Sequence, residues 1–151
     1  MATPQRVYFD VCALNRPLDD QSQARIRLET EAVEHLLRAV DEGRLEWISS
    51  DLVVFEITRN PEEESREVLL SILRGARLTV GFSDEIGRRA RTLREQGLRD
   101  LDALHLASAE ASGAQVLITT DDQFSRAASR LQPPSTVQVK NPVAYVMEVL
   151  Q

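Results

Sequence analysis

The chain holds a single cysteine, Cys12, so no internal disulfide can staple it. That usage suits a reducing compartment, and the cytoplasm is the expected location. No apolar run approaches the ~18 residues needed to cross a bilayer, and residues 1–6 lack the apolar core of a secretory signal. A membrane partner is therefore not expected. Lysine is almost missing, with Lys140 alone beside seventeen arginines. Histidine occurs twice, at positions 35 and 105, and no Cys/His cluster of the kind that holds zinc can be drawn. Aromatic residues make up only 5%, which restricts recognition by stacking. There is no internal repeat, low-complexity tract or linker.

What is present fits one ordinary domain over residues 1–151, of which 42% are apolar. At this length folding buries roughly 68–70% of the surface of the unfolded chain. The formal charge is −6, from 18 basic and 24 acidic residues. A negative balance argues against a nucleic-acid partner at first sight. A site that gathers divalent cations must itself be acidic, however, so net charge decides little.

Hydrophobic periodicity places the elements. A short β-prone run over residues 6–9 ends at Asp10, and a proline-containing loop follows through Asn15, Arg16 and Pro17. Ile26, Val33, Leu36, Leu37 and Val40 recur at helical spacing before Gly43. Strands are expected near residues 45–48, 77–80, 115–119 and 136–139. Helices are expected over the short stretch 52–57 and over 62–73, 84–96, 100–112, 122–131 and 142–150. Strands alternating with helices predict an α/β fold, a three-layer α/β/α sandwich around a parallel five-stranded sheet.

Four acids stand out against this frame. Ligands of an open parallel sheet bind beyond the carboxyl ends of the strands, where strand order reverses. With the order 3-2-1-4-5, Asp10 after the first strand and Asp121 after the fourth face each other across that reversal. Glu56 and Asp102 each lie within an apolar helical segment, and a carboxylate near buried surface is costly unless it is paired or holds a metal. Hard oxygen donors point to Mg²⁺ or Mn²⁺. The matching chemistry is phosphodiester hydrolysis, in which such an ion lowers the pKa of an attacking water. Asp122 could share the fourth position or cap the next helix, and Asp100 competes with Asp102.

Smaller roles attach to neighbours of these acids. Asn15 and Arg16, on the loop above Asp10, could orient water and hold phosphate. Arg59 and Thr119 are further candidates for contact with substrate or with the acids. His105, one turn after Asp102, is expected to be a hydrogen-bonded structural histidine, and Cys12 a small apolar filler.

At these residues the chain resembles a PIN domain, the fold of VapC-type toxins and related ribonucleases. Residues 8–17 (YFDVCALNRP), Phe55-Glu56-Ile57 with Arg59-Asn60-Pro61, residues 102–109 (DALHLASA) and Thr119-Thr120-Asp121 are similar to four of its motifs, in order. The resemblance implies Asp10, Glu56, Asp102 and Asp121 as catalytic metal ligands. It further implies a Mg²⁺/Mn²⁺-dependent endoribonuclease, commonly a homodimer, cutting single-stranded or loop RNA. As the toxin of a type II toxin–antitoxin pair it would have a small antitoxin partner. A haloacid-type phosphatase is disfavoured because Cys12 stands where a second carboxylate is needed. A receiver domain, which needs adjacent acids before its phosphorylated aspartate, is also disfavoured, although Lys140 on the fifth strand would suit one. The remaining rival is a PIN-like fold that binds RNA or protein without cleaving it.

Overall fold

The computed structural model describes residues 3–149. Strand β1 (Gln5–Phe9) carries Val7, Tyr8 and Phe9, all without solvent exposure. Helix α1 (Val11–Asn15) and α2 (Ala24–Asp41) follow, then strand β2 (Leu45–Ser50) and helices α3 (Asp51–Thr58) and α4 (Glu63–Ile72). Strand β3 (Leu78–Val80) leads into α5 (Asp84–Glu95) and α6 (Asp100–Ala111). The chain closes with β4 (Val116–Ile118), α7 (Asp122–Ser129), β5 (Gln138–Lys140) and α8 (Pro142–Val149). The expected helix over 142–150 is thus present to Val149, and Leu150 lies outside the described residues.

All strands are parallel, in the order β3-β2-β1-β4-β5. This is the predicted α/β architecture and strand order. The central strands are buried on both faces, as a parallel sheet covered by helices on each side requires. Two helix pairs, α2 with α8 and α5 with α6, supply much of that cover. On α2 the buried positions Ala32, Val33, Leu36 and Ala39 share one face, the stripe foreseen from its spacing. Gly43 then adopts φ +76° and stops the helix, a conformation an L side chain rarely adopts.

Most boundaries shift by one or two residues, and two differences have a structural reason. Residues 11–18 form α1 and a 3₁₀ turn (Arg16–Leu18) rather than an open loop. Burial of Ala13 and Leu14 supplies the reason, and the Asp10 carbonyl accepts from both their amides. Pro17 sits early in the 3₁₀ turn, where a missing N–H costs nothing. The fifth strand is Gln138–Lys140, displaced toward the C-terminus from 136–139, because its ladder to β4 begins at Val116–Gln138.

The pairing also fixes where a site can form. Phe9 aligns with Ile118, and the Asp10 amide donates to the Ile118 carbonyl at 2.9 Å. The carboxyl ends of β1 and β4 are therefore level at the point where strand order reverses. Residues just beyond them share one crevice.

Candidate active site

A cleft of about 450 Å³ opens at this edge, lined by Asp10, Glu56, Asp102 and Asp121 together with Cys12, Asn15, Arg59 and His105. The four acids reach it from four elements. Asp10 follows β1, Glu56 lies on α3, Asp102 in the first turn of α6, and Asp121 at the N-cap of α7. Asn15 and Arg59 join them, and Thr119 supports them from β4's end.

Each acid has identifiable partners. Asp10 is 7% exposed; its Oδ2 accepts from Thr119 Oγ1 at 3.0 Å and from the Cys12 thiol at 3.4 Å. Thr119 Oγ1 in turn accepts the Asp121 amide at 3.1 Å, so one hydroxyl orients both strand-end acids. Burial, then the charge of Asp10, pushes the Cys12 thiol up to about 11, so it stays protonated and donates. Cys12 is thus a polar wall of the cleft rather than an apolar filler.

Glu56 accepts from His105 Nε2, which also faces Asp10 Oδ1 at 3.7 Å. His105 is buried, and its Nδ1 lies 2.7 Å from the Tyr8 hydroxyl, itself 2.7 Å from Ser50 Oγ. Burial raises the Tyr8 phenol far above its usual range and keeps it neutral. An ionised Glu56 can only accept, so Nε2 carries a proton in this arrangement. Burial alone would lower the His105 pKa. The hydrogen bond to Glu56 and the charges of Asp10, Glu56 and Asp102 outweigh that and raise it.

Arg99, the N-cap residue of α6, gathers the other two acids. Its Nε donates to Asp102 Oδ2 at 3.0 Å, its Nη2 reaches both Asp102 and Asp121, and its Nη1 donates to Gln123 at 3.2 Å. The bonds to Asp121 and then Asp102 hold the guanidinium firmly charged. Desolvation nonetheless raises the Asp102 pKa, with Arg99 working against it. The other Asp121 oxygen, Oδ1, caps α7 by accepting the Gln123 and Phe124 amides.

Several sequence candidates take other places. Asp122 is held by both Arg25 nitrogens at 2.8 Å and lies outside the cleft lining, and it is Asp121 that caps the helix. Arg16 is committed to Asp19 and to Glu29, away from the acids, where Glu29 is only 2% exposed. Asp100 pairs with Arg94. Arg59 lines the cleft and packs over the Phe55 ring at 5.2 Å. Sequence reasoning missed Tyr8 and Arg99. An arginine three residues before an acid at a helix start was the available signal for Arg99; Tyr8 had none beyond its buried strand.

Whether these residues suit a divalent ion can be judged from their free donors. Among the described residues, no three acidic, histidine or cysteine side chains are drawn close enough to hold a metal. The donors nonetheless suit one. Asn15 Oδ1 is a buried acceptor without a partner, in the wall of the cleft. Asp10 keeps an oxygen that meets only His105 at 3.7 Å. Hard, anionic and unpaired oxygens around one polar cleft are the chemistry of Mg²⁺ and Mn²⁺.

An open parallel sheet with an acidic cleft at its strand-order reversal defines the class. Within it, the family model described as PIN domain matches residues 7–130, and the chain belongs to that family. The fold is similar to one in the crystal structure of VapBC2 from Rickettsia felis bound to a DNA fragment from their promoter. That likeness has a TM-score of 0.60 and 16% identity, and covers 91% of this chain and 98% of the other. No curated protein matches the sequence. No helix among the described residues is long and apolar enough to cross a membrane.

Proposed function

We propose that the chain is a Mg²⁺- or Mn²⁺-dependent endoribonuclease that hydrolyses RNA phosphodiester bonds. The observation that carries this reading is the convergence of Asp10, Glu56, Asp102 and Asp121 on one cleft beyond β1 and β4. Membership of a family that includes VapC-type ribonucleases supports it.

A bound divalent ion would lower the pKa of an attacking water and offset charge on the phosphate. Asp10, Glu56, Asp102 and Asp121 are the residues that would hold it, with Asn15 Oδ1 as a further oxygen donor. Thr119 and His105 fix the carboxylates of Asp10 and Glu56 in direction, as supporting partners of metal ligands do. Arg59, its position set by the Phe55 ring, presents a guanidinium to an RNA phosphate at the cleft rim. Water adds to phosphorus, the bond to the leaving sugar oxygen breaks, and that oxygen takes up a proton.

The biological role we propose is that of a toxin held by a small antitoxin in the cytoplasm, acting as a homodimer on single-stranded or loop RNA. The likeness of the fold to VapBC2 supports this role. A second reading is a non-catalytic RNA- or protein-binding module. The hold of Arg99 on Asp102 and Asp121 favours that reading. Incubating the purified protein with unstructured and hairpin RNA, in Mn²⁺ or EDTA and beside Asp10→Asn, separates the two. Cleavage that needs both Mn²⁺ and Asp10 is expected. RNA binding without metal and without cleavage would establish the second reading instead.

A further inference from the structure

Two other buried or half-buried arginines in this protein serve structure. Arg16 and Arg25 meet around Glu29, a carboxylate withdrawn from solvent on α2. Arg99 is differently placed. Its side chain is half exposed, and the two acids it holds open onto the cleft. Unlike Glu29, these two acids face the cleft, so a bound cation could take the place of the arginine.

Arg99 takes one oxygen of each acid, the Oδ2 atoms of Asp102 and Asp121. Its Nε and Nη2 share Asp102 Oδ2, and Nη2 also takes Asp121 Oδ2. The remaining Asp121 oxygen is already spent on the α7 cap. Both Asp121 oxygens are therefore engaged while Arg99 stays in place, and a metal at Oδ2 would compete with the guanidinium.

We propose that Arg99 is an internal cation lock, whose guanidinium stands between Asp102 and Asp121 in place of a divalent ion and must leave for the site to load. The inference rests on the reading of these acids as metal ligands. Arg99 has somewhere to go. It also lines an open hollow of about 590 Å³ with Asp100, Leu101, Asp102 and Asp121, which adjoins the cleft. Its side chain is 49% exposed, so its release chiefly breaks hydrogen bonds. The consequence is quantitative. Apparent metal affinity is the intrinsic affinity reduced by the fraction of molecules in which the lock is open.

The test measures Mn²⁺ binding in the absence of RNA, by calorimetry or by the spin signal of free Mn²⁺. Wild type is compared with Arg99→Gln and Arg99→Lys. The neutral variant should bind Mn²⁺ about tenfold more tightly, the factor expected if the lock is closed in about nine molecules of ten. The lysine variant, charged but without the two-pronged fork, should fall between. Without metal, Arg99→Gln should melt below wild type, because Asp102 and Asp121 are left unneutralised; saturating Mn²⁺ should close that gap. Should Arg99→Gln fail to fold, folded Arg99→Lys must still bind Mn²⁺ more tightly than wild type. Equal or weaker binding by a folded variant overturns the lock and leaves the metal reading standing. Absence of Mn²⁺ binding in wild type and variants alike overturns both.

Discussion

The Tyr8 hydroxyl lies 2.7 Å from His105 Nδ1, beneath the acidic cleft, with the two rings edge to face at 5.7 Å. The contact joins the central strand to α6 and sets the direction in which His105 presents its other nitrogen to Glu56. A strand residue with no contact to the cleft thereby controls the aim of one of its acids.

Tyr8→Phe tests that arrangement. The ring packing survives, but His105 Nδ1 and Ser50 Oγ each lose a buried partner. Denaturant unfolding should show a loss of about 1–3 kcal/mol, the cost of unsatisfied buried polar atoms. RNA cleavage should fall while Mn²⁺ binding is weakened less than by Asp10→Asn. An unchanged stability would mean that the hydroxyl is not part of a working network.

His105 predicts a pH dependence with a definite sign. Its pKa in the folded chain is raised above 6.5. Stability from its protonation is therefore complete below about pH 6.5 and is lost as pH rises through the raised value. In metal-free protein, the stability gap between wild type and His105→Gln should be widest at the acidic end and shrink toward alkaline pH. A gap that widens with pH would contradict the electrostatic account of His105.

Asp121 serves both structure and charge, and two substitutions separate them. Asp121→Asn keeps an oxygen to accept the Gln123 and Phe124 amides, so stability should hold while metal binding weakens. Asp121→Ala loses the cap as well, and should cost about 1 kcal/mol more by thermal or urea unfolding. Equal metal affinity for wild type and Asp121→Asn would remove Asp121 from the ligand set.

Arg16 should prove structural. It bonds the buried Glu29 at 2.8 Å, and Arg25 and Asn141 hold the same carboxylate. Arg16→Ala should cost about 2–3 kcal/mol, less than the ~3–5 kcal/mol of stripping a buried charge of its whole support. The cleavage rate of the folded fraction should not change. A large rise in KM for RNA at unchanged stability would restore the phosphate-holding role that the sequence suggested.

Legibility from sequence followed the physics of each feature. Period and cap residues locate the elements because Val7–Phe9 and the α2 stripe are buried by rule; alternation implies a parallel sheet, while the strand order rests on the PIN resemblance. Asn15 and Pro17 are turn formers and predict a loop over residues 11–18, while the burial of Ala13 and Leu14 that makes this stretch helical is a tertiary effect. Asp10 and Asp121 were legible because they end adjacent strands. The lock by Arg99 and the Tyr8–His105 support were not, since each depends on side chains brought together across the fold. Asp122 turns away from the cleft because Arg25, 97 residues distant, holds it, and Arg16 because Asp19 and the buried Glu29 take its guanidinium.

The most direct test of the central claim is the chemistry of the products. Hydrolysis by water with the 3′-oxygen as leaving group breaks the P–O3′ bond and leaves 3′-hydroxyl and 5′-phosphate ends. The account predicts those ends from an RNA oligonucleotide incubated with wild-type protein and Mn²⁺, and no cleavage in EDTA or with Asp10→Asn. Cyclic 2′,3′-phosphate ends, or cleavage that persists in EDTA or in Asp10→Asn, would contradict it.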